Sequence, residues 1–125
     1  MVPKHPKKKI LIIDFGSQVT KLIARRIRDL GVYSEIATLK DLNDPGTLKN
    51  TYGLIFSGGP STVTKKSFPK IPTKIFSLGL PILGICYGLQ LIAKQFGGKV
   101  KANLKSREYG RTMIKKIKSS HLTEN

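Results

Sequence analysis

The sequence predicts an α/β domain, with an open, mostly parallel sheet and helices on both faces. Three observations predict it. Short, continuous apolar runs occur along the chain, as in strands buried on both faces. Between them lie stretches whose apolar residues recur at helical spacing. The two kinds of segment alternate, and strands alternating with helices imply parallel pairing through crossovers.

The elements follow in order. Residues 1–8, with the lysine-rich "KHPKKK" at 4–9, read as a basic disordered tail ahead of a domain spanning 9–125. "KKILIID" (8–14) is the first strand and ends in Asp14. Val19, Leu22, Ile23, Ile27 and Leu30 then form one face of a helix, with Ser17 placed to cap it and Gly31 to end it. "VYSEIA" (32–37) returns as a second strand, and "YGLIFSGGP" (52–60) is a third that runs into a glycine pair. A weaker helical stretch, Ile71 to Leu78, leads to the strand "PILGI" (81–85). Leu89, Ile92, Ala93 and Phe96 line a last helix, stopped by Gly97 and Gly98. Beyond it "KVKANL" and "GRTMIKKIK" have the polar, basic pattern of exposed strands or a hairpin. No internal repeat or domain linker interrupts the chain.

Composition excludes several classes. With 125 residues and 39% hydrophobic content the chain can build one domain with a real core. A single cysteine rules out an internal disulfide framework, and His5 and His121, far apart, leave no zinc cluster. No apolar run reaches the roughly 18 residues that span a bilayer, and the start lacks the pattern of a signal peptide. The expected setting is reducing and cytoplasmic, without a membrane partner. The net charge of +16 invites a nucleic-acid reading. However, the basic residues are scattered from Lys4 to Lys118, without aromatic platforms or a recognition helix, so a solvated basic surface is expected and no specific nucleic acid.

The chemistry centres on "GICYGLQ" (84–90), where the only cysteine falls between a strand and a helix. A strand-to-helix turn this sharp needs small residues where the two backbones cross, which Gly84 and Gly88 supply, and it lifts the Cys86 side chain toward solvent. Unpaired amides at a helix start favour an anionic sulfur. Cys86 therefore has the setting of a nucleophile. In such a turn the amide of the following residue, Tyr87, is one donor to an oxyanion, and Gly59 in "SGGP" is the candidate for the second, its glycine pair reaching backbone conformations closed to other residues. "DFGSQ" (14–18), "SGGPS" (57–61) and "CYGLQ" (86–90) all fall at carboxyl ends of strands, where open parallel sheets bind ligands.

"GICYGLQ" resembles the nucleophile motif G-x-C-x-G-x-Q of the triad-type, or class I, glutamine amidotransferases, and "SGGP" is similar to their oxyanion loop. "ILIIDFGSQVTKLIARRIRDLGVYSEI" (10–36), "GLIFSGGPSTV" (53–63) and "REYG" (107–110) narrow the resemblance to the amidotransferase domains of GMP synthases. The resemblance implies a flavodoxin-like domain that hydrolyses glutamine. Its ammonia would pass to a synthetase (ATP pyrophosphatase) domain on the same or another chain, which uses ATP and magnesium to aminate XMP to GMP. The complete enzyme would be a homodimer, and this chain itself would hold no cofactor or metal. Carried over by residue, Cys86 attacks the carboxamide, Gly59 and Tyr87 hold the oxyanion through their amides, and Gly58 and Gln90 help seat glutamine. The family moves protons with a histidine oriented by a glutamate in a His-Pro-Glu motif, and residues 1–125 contain none. His121, 35 residues after Cys86 in "SSHLTEN", is expected to be an ordinary exposed histidine. The expected domain is thus incomplete, cut before the base, and inactive as a glutaminase by itself. Two other readings stay open: an amidotransferase of another pathway, such as the chorismate-utilising or carbamoyl-phosphate enzymes, and a non-catalytic basic α/β binding module.

Overall fold

A computed structural model describes residues 8–59, 68–98 and 120. Its elements run β1 (Lys9–Asp14), α1 (Val19–Asp29), β2 (Tyr33–Thr38), β3 (Thr51–Phe56), β4 (Ile82–Gly84) and α2 (Tyr87–Gln95), with short 3₁₀ turns at Lys40–Asn43, Pro45–Leu48 and Thr73–Ser77. The strands pair in the order β2-β1-β3-β4, all parallel. From β1 the chain winds outward to β2, then crosses back to place β3 on the other side. The winding sense therefore reverses between β1 and β3, and open α/β sheets bind ligands beyond the carboxyl ends of the strands at such a point.

Side chains alternate across the pleat. Leu11 and Ile13 of β1 with Leu54 and Phe56 of β3 face a core closed by Ile75 and Leu91 from the 3₁₀ turn and α2. On the opposite face Ile12 is fully buried, and α1 packs on this side through β1 and β2. An apolar groove of about 420 Å³ remains beside Ile27, lined by Ile10, Gly53, Ile55 and Leu83.

Three expectations are corrected. In α1 the buried residues are Thr20 and Ala24, with Ile23 and Ile27 half-buried, whereas Val19 and Leu22 are 50% exposed and Leu30 82%. The contact stripe is displaced because Thr20 is satisfied by hydrogen bonds inside, and Ala24 is small enough for its carbonyl to accept Ser34 Oγ at 2.8 Å. In α2 the buried positions are Tyr87, Gly88 and Leu91, while Leu89 and Phe96 are exposed, because the helix lies with Gly88 against the β3 backbone. The weaker helical stretch Ile71 to Leu78 is helical only over Thr73–Ser77, as a 3₁₀ turn. Ile71 is held instead by Gln95, whose amide bonds both its N–H (2.7 Å) and its carbonyl (2.6 Å).

Helix ends follow local chemistry. Ser17 stands one residue outside the cap position, Gln18, and its Oγ accepts from Val19 N at 3.1 Å. Gly31, with φ +85°, ends the helix as expected. Arg28 donates to the carbonyl and hydroxyl of Ser34, tying the end of α1 to β2. Thr38 and Asp41 cap each other at the next turn, and the Thr38 N–H holds the Asp41 carboxyl below the usual carboxylate range. Lys9 Nζ bonds Glu35 Oε2 across β1 and β2 at 2.9 Å. This bond, helped by the Tyr33 hydroxyl and opposed by partial burial, holds the Glu35 carboxyl below its ordinary value. The same contact with Glu35 pushes the Tyr33 phenol up. The basic tail through residue 7, "KVKANL", "GRTMIKKIK" and His121 lie outside the described residues.

Candidate active site

The strand order brings the three glycine-rich strand ends together. β3 stands between β1 and β4, so the loop after β3 is flanked by "DFGSQ" on one side and by the β4–α2 turn on the other.

Cys86 sits at that turn, one residue before the first residue of α2, and it is exposed. Its backbone has φ +51° and ψ −116°, a left-handed conformation that a non-glycine residue holds at a cost of about 1–3 kcal/mol. The turn is held by short backbone bonds. Ile85 N donates to Phe56 O at 2.9 Å, Gly88 N to Ile85 O at 3.0 Å, and Gln90 N to Cys86 O at 3.1 Å. Both flanking glycines are required by space. A Cβ on Gly84 would come within 2.7 Å of Leu89 Cα, and one on Gly88 would collide with the Phe56 carbonyl.

Gly58 is buried against this turn: a Cβ there would lie 3.6 Å from Cys86 Cβ and 3.7 Å from Ser17 Oγ. Gly59 follows, half-buried. Neither adopts a left-handed φ, contrary to expectation. Gly59 is needed for close approach instead, since a Cβ would stand 2.7 Å from the Phe15 carbonyl oxygen. Tyr87 is buried, and its ring meets that of Phe15 edge-on at 5.2 Å. As the first residue of α2 its amide has no carbonyl one turn back within the helix. Gln90 lies half-buried in the first turn of α2.

The structure thus brings Cys86, Gly58 and Tyr87 to one place, with Gly59 one residue further on. Sequence reasoning missed Phe15, which touches both Gly59 and Tyr87, and the hydrogen bonds joining Asp14, Thr20 and Ser57 behind the loop. Asp14 ended a strand and Ser57 began the glycine loop, but nothing in the sequence links Thr20 of α1 to a loop residue 37 positions on. Among the described residues no group of three or more His, Cys, Asp or Glu could hold a metal ion. None of their helices is long and apolar enough to cross a membrane.

The class is set by a parallel α/β sheet with an exposed cysteine on a strained strand-to-helix turn beside a glycine loop, and the family model for class-I glutamine amidotransferases matches residues 11–125. The chain belongs to that family. Within it, the chain is 46% identical over 119 residues to the glutamine-hydrolysing GMP synthase of Tolumonas auensis, covering 95% of this chain and 22% of that protein. It is 49% identical over 118 residues to that of Aquifex aeolicus, covering 94% of this chain and 23% of that one. Among solved structures it matches a Thermoplasma acidophilum protein described as one subunit of a GMP synthase, with a TM-score of 0.63 and 35% identity over 85% of this chain and 53% of that one. The fold is accordingly of the flavodoxin-like α/β type. The chain spans under a quarter of the length of the Tolumonas and Aquifex GMP synthases.

Proposed function

We propose that this chain carries the glutamine-hydrolysing half-site of a GMP synthase, with Cys86 as nucleophile. The observation that carries the reading is the backbone of Cys86: an exposed thiol held at φ +51° directly before a helix, where strain persists because the surroundings enforce it. The Cys86 sulfur attacks the carboxamide carbon of glutamine, and the resulting oxyanion is received by the amides of Tyr87 and Gly59. Collapse breaks the C–N bond, ammonia leaves with an added proton, and a γ-glutamyl thioester remains. Water then cleaves the thioester to glutamate and restores the thiol. Gly58, buried against Cys86, leaves room for the substrate, and Gln90 on the first turn of α2 helps seat it.

Ammonia is passed to a synthetase domain, on the same or another chain, that uses ATP and magnesium to aminate XMP to GMP in the cytoplasm. Similarity to glutamine-hydrolysing GMP synthases over 94–95% of this chain supports this assignment above the chorismate-utilising and carbamoyl-phosphate enzymes. The complete enzyme works as a homodimer. The proton-transferring histidine and glutamate of the family have no counterpart motif in residues 1–125, so these residues alone form the thioester site without its base. The test is glutamate release from glutamine by the protein as the cell makes it, beside its Cys86→Ala variant. The reading expects release to fall to the blank in the variant, and equal release by both proteins would refute it.

A further inference from the structure

Asp14, Thr20 and Ser57 have no part in the chemistry above, yet they form a continuous chain of hydrogen bonds directly behind it. Thr20 is 1% exposed and Ser57 is fully buried. Thr20 Oγ1 lies 2.9 Å from Asp14 Oδ1 and 2.9 Å from Ser57 Oγ, and Asp14 Oδ1 also accepts from Gly16 N at 2.9 Å. The direction of the chain is forced. A carboxylate oxygen only accepts, and Thr20 has one hydroxyl proton, so Thr20 donates to Asp14 and must accept from Ser57.

Ser57 is held a second time by its own N–H, which donates to Ile13 O at 3.0 Å. The next two residues are Gly58, against Cys86, and Gly59, against the Phe15 carbonyl. Phe15 follows Asp14 in the chain, and its ring packs on Tyr87. One end of the hydrogen-bond chain therefore sets the loop carrying Gly59, and the other sets the residue that touches both Gly59 and Tyr87. Stability alone does not call for this arrangement, because replacing both partners of a buried hydroxyl pair by apolar groups of the same shape can be nearly neutral. Apolar contacts cannot fix a direction.

We propose that the buried Asp14–Thr20–Ser57 chain is a positioning device that sets the Gly58–Gly59 loop against Cys86, so that Thr20 and Ser57 act on turnover through the placement of the oxyanion donors. The inference rests on the glutaminase reading above. It predicts a loss in kcat rather than in glutamine binding, because the donors bind the oxyanion and not the ground-state amide.

The experiment uses the protein as the cell makes it, with sites counted by the stoichiometry of Cys86 alkylation by a diazoketone analogue of glutamine. Thr20→Val should lower kcat per counted site about 10- to 100-fold, with KM changed less than about threefold, since a misplacement on the order of 1 Å can cost about 10². Ser57→Ala should act in the same direction, and it decides the matter alone if the valine variant does not fold. Thr20→Ser, which keeps the hydroxyl, should stay within about threefold of the parent. A kcat per site within about threefold of the parent in the decisive variant overturns the inference, as does a loss in Thr20→Ser equal to that in Thr20→Val. If Cys86→Ala abolishes release while the decisive variant keeps it, only this inference fails. If Cys86→Ala releases glutamate as fast as the parent, the glutaminase reading fails and takes this one with it.

Discussion

Gly84→Ala is the sharpest perturbation of the nucleophile turn, because what it meets is backbone. The new Cβ would lie 2.7 Å from Leu89 Cα, 2.9 Å from Leu89 N and 3.0 Å from Ile92 Cδ1. Ordinary van der Waals contact begins at 3.4 Å, so β4 and α2 must separate by 3.4 − 2.7 = 0.7 Å. Two of the three atoms are main chain, and no rotamer change relieves them. The strand side is pinned by Ile85 N on Phe56 O at 2.9 Å, so the helix gives way. Overpacking of this kind costs about 1–3 kcal/mol of stability. The same withdrawal shifts the start of α2, with Cys86 and Tyr87, relative to the Gly58–Gly59 loop, and with about 10² lost per 1 Å of misplacement, turnover per folded site should fall by roughly 10-fold or more. The assay is a thermal melt paired with glutamate release normalised to alkylatable Cys86. Adding Ile92→Ala should recover little, because it removes only the flexible contact. A Gly84→Ala protein with the parent's Tm and rate would refute the close crossing of β4 and α2.

Gly59→Ala should push the loop off the Phe15 carbonyl and lower glutamine-dependent synthesis by about 10² to 10³, leaving ammonia-dependent synthesis intact; equal loss of both would mark the loop as structural only. Residues 1–125 produced alone should release glutamate no faster than their Cys86→Ala variant, while Cys86 is still alkylated by a glutamine-like electrophile; release well above that variant would place a base within these residues. The same isolated chain should bind a hydrophobic dye through the groove beside Ile27, and a fully soluble, dye-negative chain would contradict an open apolar face. The Glu35 carboxyl, held below its ordinary value of 4.5 chiefly by the Lys9 hydrogen bond, stabilises the fold above that value and loses this contribution as pH falls through the depressed one. Glu35→Gln should therefore lower Tm at neutral pH by an amount that shrinks on acidification, and a constant or growing difference would reverse the sign.

The elbow was legible because the residues that mark it are local. Gly84, Cys86 and Gly88 fall within five consecutive residues, so the turn announces itself locally, although the carbonyl that Gly88 must clear, that of Phe56 on β3, is not visible in that stretch. The strands were legible for a similar reason, since β1, β2, β3 and β4 each coincide with an apolar or alternating run of the right length. The packed faces of the helices were not. Counting apolar side chains along α1 favours Leu22 and Leu30, but the sheet accepts Thr20, whose hydroxyl finds Ser57, just past the end of β3 and 37 residues away. Only the pairing of β1 between β2 and β3 reveals that partner. Gly59 shows the same limit in another form: its sequence context pointed to unusual dihedrals, whereas the constraint is the carbonyl of Phe15, supplied by a neighbouring strand end.

Whether Cys86 is the nucleophile is tested most directly by mapping where a diazoketone analogue of glutamine attaches to the protein. A single adduct on Cys86 is expected, absent from Cys86→Ala, formed more slowly when glutamine is present and unaffected by asparagine. An adduct elsewhere, or labelling of Cys86 that glutamine does not slow, would contradict a glutamine site built on the β4–α2 turn.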